Sequence, residues 1–220
     1  MKLSKKTLDV LKTFANINSN LLLVPGKKIE TMSVAKNIFG DATIDEEIPQ
    51  EFGIYNTQEF LGALSLFKDP ELVFEETHVR IKEATGGGMS LKYMAASKDI
   101  LVYPTKKVQE PKWDVEFDLS GEDFNQVIKG AAVISAPDLQ IVGTDQGLFV
   151  RVCDRKNSSS NDFVVQVNDQ PQVEDFTFNL KVDNLKLFPG SYKVAVNGKG
   201  LAKFQETNSK VITFIALEAT

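Results

Sequence analysis

The sequence predicts an α+β fold built from two tandem units of one plan, and three observations predict it. Most of the chain alternates apolar and polar residues, as in Val79-Arg80-Ile81-Lys82 and Val115-Glu116-Phe117-Asp118, the mark of half-buried strands. A few segments carry helical spacing instead, and they fall in two pairs about half the chain apart. Between the pairs lies 104–111 (PTKKVQEP), charged, poor in apolar residues and bounded by two prolines. The order of helix, strands, short helix and strands then repeats, which divides the chain into 1–110 and 111–220. Sparse helices on one face of mostly antiparallel sheet make the class α+β.

The first helix is read over 1–19. Leu8, Leu11, Phe14 and Ala15 form its apolar stripe, and Lys2, Lys5, Asp9, Lys12 and Asn16 lie opposite. Strands follow at 20–24, 28–34, 38–44 and 52–55. The second helix, 56–68, opens on an Asn56-x-x-Glu59 capping box and buries Phe60, Leu61, Leu64 and Phe67. Strands at 71–75, 78–83, 89–94 and 100–103 complete the first unit. In the second, a strand at 113–119 leads to a helix at 120–135. Ser120 caps it, Glu122 and Asp123 suit its first turn, and Phe124, Val127, Ile128, Ala131 and Ile134 keep helical spacing up to Pro137. Strands at 139–144, 148–154, 163–168 and 176–180 precede a short fourth helix, 181–188, stopped by Pro189–Gly190. Strands at 192–197, 201–205 and 211–218 end the unit. Gly86–Gly88, Asp145–Gly147 and 157–161 carry turn residues.

With 220 residues, 42% of them hydrophobic and 15 of them Phe, the chain can bury a substantial core. No run approaches the roughly 20 apolar residues of a membrane span, and the N-terminus lacks a secretory pattern. A single cysteine, Cys153, excludes an internal disulfide, so a soluble cytoplasmic protein is expected. The net charge is −5, yet residues 1–19 hold four lysines against one aspartate. That balance excludes a surface that binds polyanions everywhere and allows one confined basic patch.

The residues offer little catalytic chemistry. His78, the single histidine, sits in strand alternation and reads as a surface residue. Cys153, in LFVRVCD, reads as structural, and the two together cannot make a zinc set. Gly86-Gly87-Gly88 lacks the following Gly-Lys-Ser/Thr of a phosphate loop. Asp45-Glu46-Glu47 with Glu51 fits no calcium loop. A carboxylate enzyme using Asp145 and Asp154 finds no support in spacing. No enzyme activity, metal or cofactor is expected. The lysines remain: Lys129 lies with Asn125 and Gln126 opposite the third helix's apolar stripe, and the fourth helix offers Lys181 and Lys186. If the helices lie side by side, their polar faces form a shared basic lining.

These residues resemble the sliding clamp, or DNA polymerase processivity factor, of T-even-type bacteriophages. MKLSK, Leu11-Lys12, Phe14-Ala15 and Ile17-Asn18-Ser19 are similar to that clamp's first helix, and Phe60-Leu61-Gly62 with Leu64-Ser65-Leu66 to its second. Glu122-Asp123 opens the matching third helix. Asn184-Leu185-Lys186, Pro189-Gly190 and Tyr192-Lys193 resemble the fourth, and Ala202-Lys203-Phe204 and Ala216-Leu217-Glu218-Ala219 also match. The islands run in order along the whole chain, with divergent strands and loops between.

The resemblance implies two processivity-fold domains per chain and a homotrimeric ring, with twelve helices lining the hole and antiparallel sheets outside. Strand edges would pair across subunits, removing exposed edges. The ring would encircle duplex DNA without reading sequence and tether the replicative DNA polymerase. A clamp loader ATPase would open it, late transcription factors would use it as a platform, and its place would be the cytoplasm of the infected bacterial host. Lys5, Lys12 and Lys186 sit inside matching motifs as DNA-facing residues, joined by Lys129, Lys181 and Lys2. Partner peptides would use an apolar groove for which Tyr103, Pro104, Val108, Phe188, Pro189 and Leu217 are the candidates. A β-rich virion or assembly protein is the competing reading, and it leaves the helix lysines unexplained.

Overall fold

The computed structural model describes residues 1–219, and the chain forms two compact units, Met1–Lys107 and Val108–Thr220.

In the first unit, Ser4 sets the start of α1 (Lys5–Ile17): its backbone is extended and its Oγ accepts the Thr7 N–H at 3.2 Å. Glu46 strengthens that cap by accepting from the Ser4 N–H and from Thr7 Oγ1, the latter at 2.6 Å. Burial would push the Glu46 carboxyl up, but the Thr7 and Ser4 donors hold it below its ordinary range. The buried face is Val10, Leu11, Phe14 and Ile17 with Thr7 and Thr13, so it is rotated from the expected stripe and leaves Leu8 and Ala15 half-buried. The rotation is possible because both threonine hydroxyls are satisfied, Thr13 by the Asp9 carbonyl at 3.0 Å.

β1 (Leu21–Leu23) pairs antiparallel with β4 (Phe52–Ile54), and β2 (Gly26–Met32) with β3 (Ile38–Ile48). α2 (Thr57–Ser65) is capped by Asn56, whose Oδ1 accepts the Glu59 N–H at 3.2 Å, and it packs against α1. β5 (Pro70–Phe74), β6 (His78–Glu83) and β7 (Ser90–Met94) form an antiparallel sheet in that order. His78 is buried rather than on the surface. Its Nε2 stands 3.1 Å from Glu75 Oε2, which satisfies the ring and lets strand alternation carry it inward. The strand expected at 100–103 does not form. A 3-10 turn, Lys98–Ile100, precedes a segment whose backbone groups bond to side chains instead of to a neighbouring strand.

In the second unit, β8 (Val115–Leu119) leads to α3 (Gly121–Ile134), capped by Ser120 Oγ on the Asp123 N–H at 3.0 Å. β9 (Asp138–Thr144), β10 (Gly147–Cys153), β11 (Phe163–Asn168) and β12 (Phe176–Lys181) form one sheet, ordered β11-β10-β9-β12. β13 (Tyr192–Asn197), β14 (Leu201–Glu206) and β15 (Val211–Ala216) continue from β8 in the order β8-β13-β14-β15. α3 packs on β10 and β11 through fully buried Val127 and Ala131, while Phe124, Ile128 and Ile134 are half-buried. Gly130 is required at that contact, because a Cβ there would lie 2.4 Å from the Phe163 ring. Cys153 is buried, and burial pushes its thiol up, so it behaves as a small core residue.

The helix expected at 181–188 does not form. Lys181 closes β12, and Val182–Asn184 make a single 3-10 turn. The Val182 N–H goes to the Pro137 carbonyl at 3.0 Å, which diverts a donor that a helix start would leave free. Eight residues also give too few hydrogen bonds to offset helix nucleation. Beyond β15 the chain adds one bridge, the Glu218 N–H donating to the Asn179 carbonyl at 2.8 Å.

Candidate nucleic-acid interface

α1 presents Lys5, Lys12 and Asn16 to solvent, directly opposite Phe14 and Leu11. Lys12 is partly committed, its Nζ standing 3.1 Å from Asp9 Oδ1 one turn earlier. Lys2 precedes the helix and pairs with Asp69 at 2.5 Å. On α3 the exposed face carries Glu122, Asn125, Gln126, Lys129, Ala132 and Val133, so Lys129 stands on a mainly uncharged surface. Lys5, Lys129 and Lys186 stand in no ion pair among the described residues, and of the expected cations these three are free to meet a polyanion.

The expected residues therefore separate into two groups. Lys186 follows the 3-10 turn in irregular backbone, its N–H bonded to the Asn184 carbonyl at 2.8 Å. Lys181 lies at a strand end, 2.5 Å from Asp138, whose side chain is only 1% exposed. Arg155 adds its backbone N–H to the same carboxylate at 3.1 Å. Burial alone would raise the Asp138 carboxyl, but Lys181 and Arg155 hold it below its ordinary range. Lys181 is thus bound into the fold of the second unit, and Lys2 and Lys12 share their charge with neighbours.

Two of the six groove candidates, Tyr103 and Pro104, belong to the first unit, and Val108, Phe188, Pro189 and Leu217 belong to the second. Tyr103 has Lys98 Nζ 5.5 Å above its ring, with half-buried Pro104 next to it. Val108 begins the second unit. Phe188 gives its carbonyl to the Tyr192 hydroxyl, and Pro189 is exposed beside it. Leu217 lies instead in a depression with Phe178, Lys199 and Gly200.

Two sheet edges stand out. In the four-stranded sheet, β12 is covered on its outer side by the Glu218 bridge, whereas β11 (FVVQVN) is a six-residue uncharged edge. In the three-stranded sheet, β5 receives the Met1 carbonyl on its Leu72 N–H at 2.7 Å, whereas β7 has no strand beyond it among the described residues. Beside β7 runs an apolar groove of about 830 Å³ lined by Tyr55, Ala63, Leu66, Tyr93 and Met94. Leu66 is 65% exposed there, and Val133 on α3 is 84% exposed. An uncharged open strand edge and exposed apolar groups of this kind are marks of an interface.

The chain resembles known proteins over its whole length. It is 33% identical to the sliding clamp of Vibrio phage KVP40 across 100% of both chains. The chain belongs to the sliding-clamp family. It is 32% identical to the sliding clamp of Escherichia phage RB69 and 28% to that of Enterobacteria phage T4, covering all of this chain and 97% of each relative. The family model for DNA polymerase processivity factor matches residues 2–93, and that for the gp45 sliding clamp, C terminal, matches 116–219. A. fulgidus PCNA, solved with the C-terminal region of FEN-1, superposes with a TM-score of 0.74 at 13% identity over 100% of this chain and 97% of that one. PCNA from Thermococcus kodakaraensis gives 0.73 at 12%, over 97% and 96%. At that identity the likeness shows a shared fold, the PCNA-like clamp fold. As a sliding clamp the chain is a DNA polymerase processivity factor.

Three α-helices are present among the described residues, where four were expected. Among these residues no cluster of three His, Cys, Asp or Glu could hold a metal ion, and no helix is long and apolar enough to cross a membrane. The sequence reading missed Asn18 and Val133. Asn18 bonds to Val102, 84 residues away, and no local pattern signals such a pair. Val133 was legible as an apolar residue off the buried stripe of α3.

Proposed function

We propose that three copies of the chain close a ring around duplex DNA, with 1–110 and 111–220 serving as the two clamp domains of each copy. The observation that carries this reading is the pair of open edges. β11 of one copy would pair with β7 of the next, and the exposed apolar residues beside both strands would be buried together. Lys5 and Lys129, with Lys186, would face the duplex. Lys2, Lys12 and Lys181 would add less, because carboxylates already stand against them.

Weak, sequence-blind attraction to phosphate suits a clamp that must slide. Topology would keep the ring on DNA, and strong ion pairing would act as a brake. The ring would tether the replicative polymerase, would be opened by a clamp loader ATPase, and would support late transcription factors in the cytoplasm of the infected bacterium. It would perform no chemistry of its own. Partner peptides would dock around the connector at Tyr103, Pro104 and Val108, or near Phe188, Pro189 and Leu217.

Solution mass measured together with retention on nicked circular DNA tests the proposal. A species near three times 24.4 kDa, loaded in a salt-sensitive way, is the expected result. A monomer at micromolar concentration would overturn it.

A further inference from the structure

The root of the connector is held by two asparagine side chains rather than by a strand. Asn18, the residue after α1, is 5% exposed, and its own N–H closes the helix on the Phe14 carbonyl at 3.0 Å. Its Nδ2 donates twice, to the Met32 carbonyl at 2.9 Å and to the Val102 carbonyl at 2.8 Å. Its Oδ1 accepts the Asn20 N–H at 2.9 Å. Asn20 completes the clasp: its Oδ1 accepts the Val102 N–H at 3.3 Å, and its Nδ2 donates to the Tyr55 carbonyl at 2.8 Å. Both backbone polar groups of Val102 are thereby taken by side chains from the short link between α1 and β1. Tyr103 and Pro104 leave directly from that point.

Buried backbone groups must find partners, and where strands supply them a side-chain clasp is unnecessary. Here the clasp replaces the strand that alternation predicted at 100–103. Its second consequence is positional. The C-terminal end of α1 and the first residues of the connector share one buried amide, that of Asn18. We infer that Asn18 and Asn20 are positioning residues for partner engagement, fixing where the connector departs from the first unit. This rests on the reading that the connector takes part in partner docking.

The test compares Asn20→Ala with Asn20→Asp in the full-length assembly. Asn20→Ala removes the acceptor for Val102 and the donor to Tyr55. Asn20→Asp keeps the acceptor and loses only the donor. With Asn20→Ala, ring mass and retention on nicked circles stay unchanged. Amide exchange at 102–103 becomes about fivefold to tenfold faster, as expected for one missing hydrogen bond. The clamp concentration giving half-maximal stimulation of the phage's own polymerase rises by a similar factor. Asn20→Asp restores both readouts. Equal impairment by the two variants would place the role at Tyr55 and overturn the inference, as would faster exchange with unchanged stimulation. If Asn20→Ala does not assemble, Asn20→Ser carries the same comparison. A wild-type protein that forms no trimer and is not retained counts against the ring itself, so the two failures are distinct.

Discussion

Asp138 is the residue on which the second unit's ion pairing converges, and its behaviour with pH can be derived. Its folded carboxyl sits below its ordinary range, so the pair with Lys181 and Arg155 adds stability above the unfolded value. That contribution is lost as pH falls through the lowered folded value. Asp138→Asn should cost about 2 kcal/mol at neutral pH, because Lys181 loses its partner while keeping some access to water. Denaturant unfolding at pH 7 and at pH 3 checks this: the gap between wild type and variant should shrink at the lower pH. Gly130→Ala should also destabilise the second unit. Alanine favours a helix by roughly 1 kcal/mol over glycine, but the added Cβ meets the Phe163 ring at 2.4 Å. A net loss of about 1–3 kcal/mol is expected from overpacking, read as a lower thermal midpoint. Residue environments are only partly legible in the sequence. His78 and Thr7 are each buried by a partner that local pattern cannot show, Glu75 for one and Glu46 for the other.

Elements are more legible than their surroundings. α1, α2 and α3 each carry a cap visible as Ser4, Asn56 or Ser120, and each lies within the span that periodicity assigns. Strands 78–83, 163–168 and 192–197 fall at the expected positions. The failures share a cause. At 181–188 and 100–103 the backbone groups go to distant partners, Pro137 in one case and Asn18 with Asn20 in the other. No window of sequence contains both halves of such a bond. Lys5→Glu combined with Lys129→Glu should weaken retention on nicked circles and flatten its salt dependence, by roughly 0.9 in log–log slope for each phosphate no longer neutralised. Lys2→Glu should do much less, since Asp69 already neutralises that lysine. Retention measured across a salt series separates the two variants.

For the whole molecule, the duplicated plan was legible because Ser4 and Ser120 begin matching helices about half a chain apart, on either side of the connector. The assembly was less so, since an open edge is defined by what fails to pair with it. β11 and β7 became visible as edges only when the covering of β12 by Glu218 and of β5 by Met1 was in place. Val164→Lys should therefore be more damaging to assembly than to the fold, as Val164 is exposed on the β11 edge and a charge there opposes strand pairing. Sedimentation of that variant should give a folded species of one-third the wild-type mass. Topology, not affinity, is what should keep this clamp on DNA. Retention should be followed on one nicked circle before and after a single double-strand cut, at a salt concentration that suppresses ordinary phosphate binding. The clamp should stay on the circle and leave within the time of sliding to an end once the circle is opened. Equal retention on the circle and on the cut molecule would contradict it.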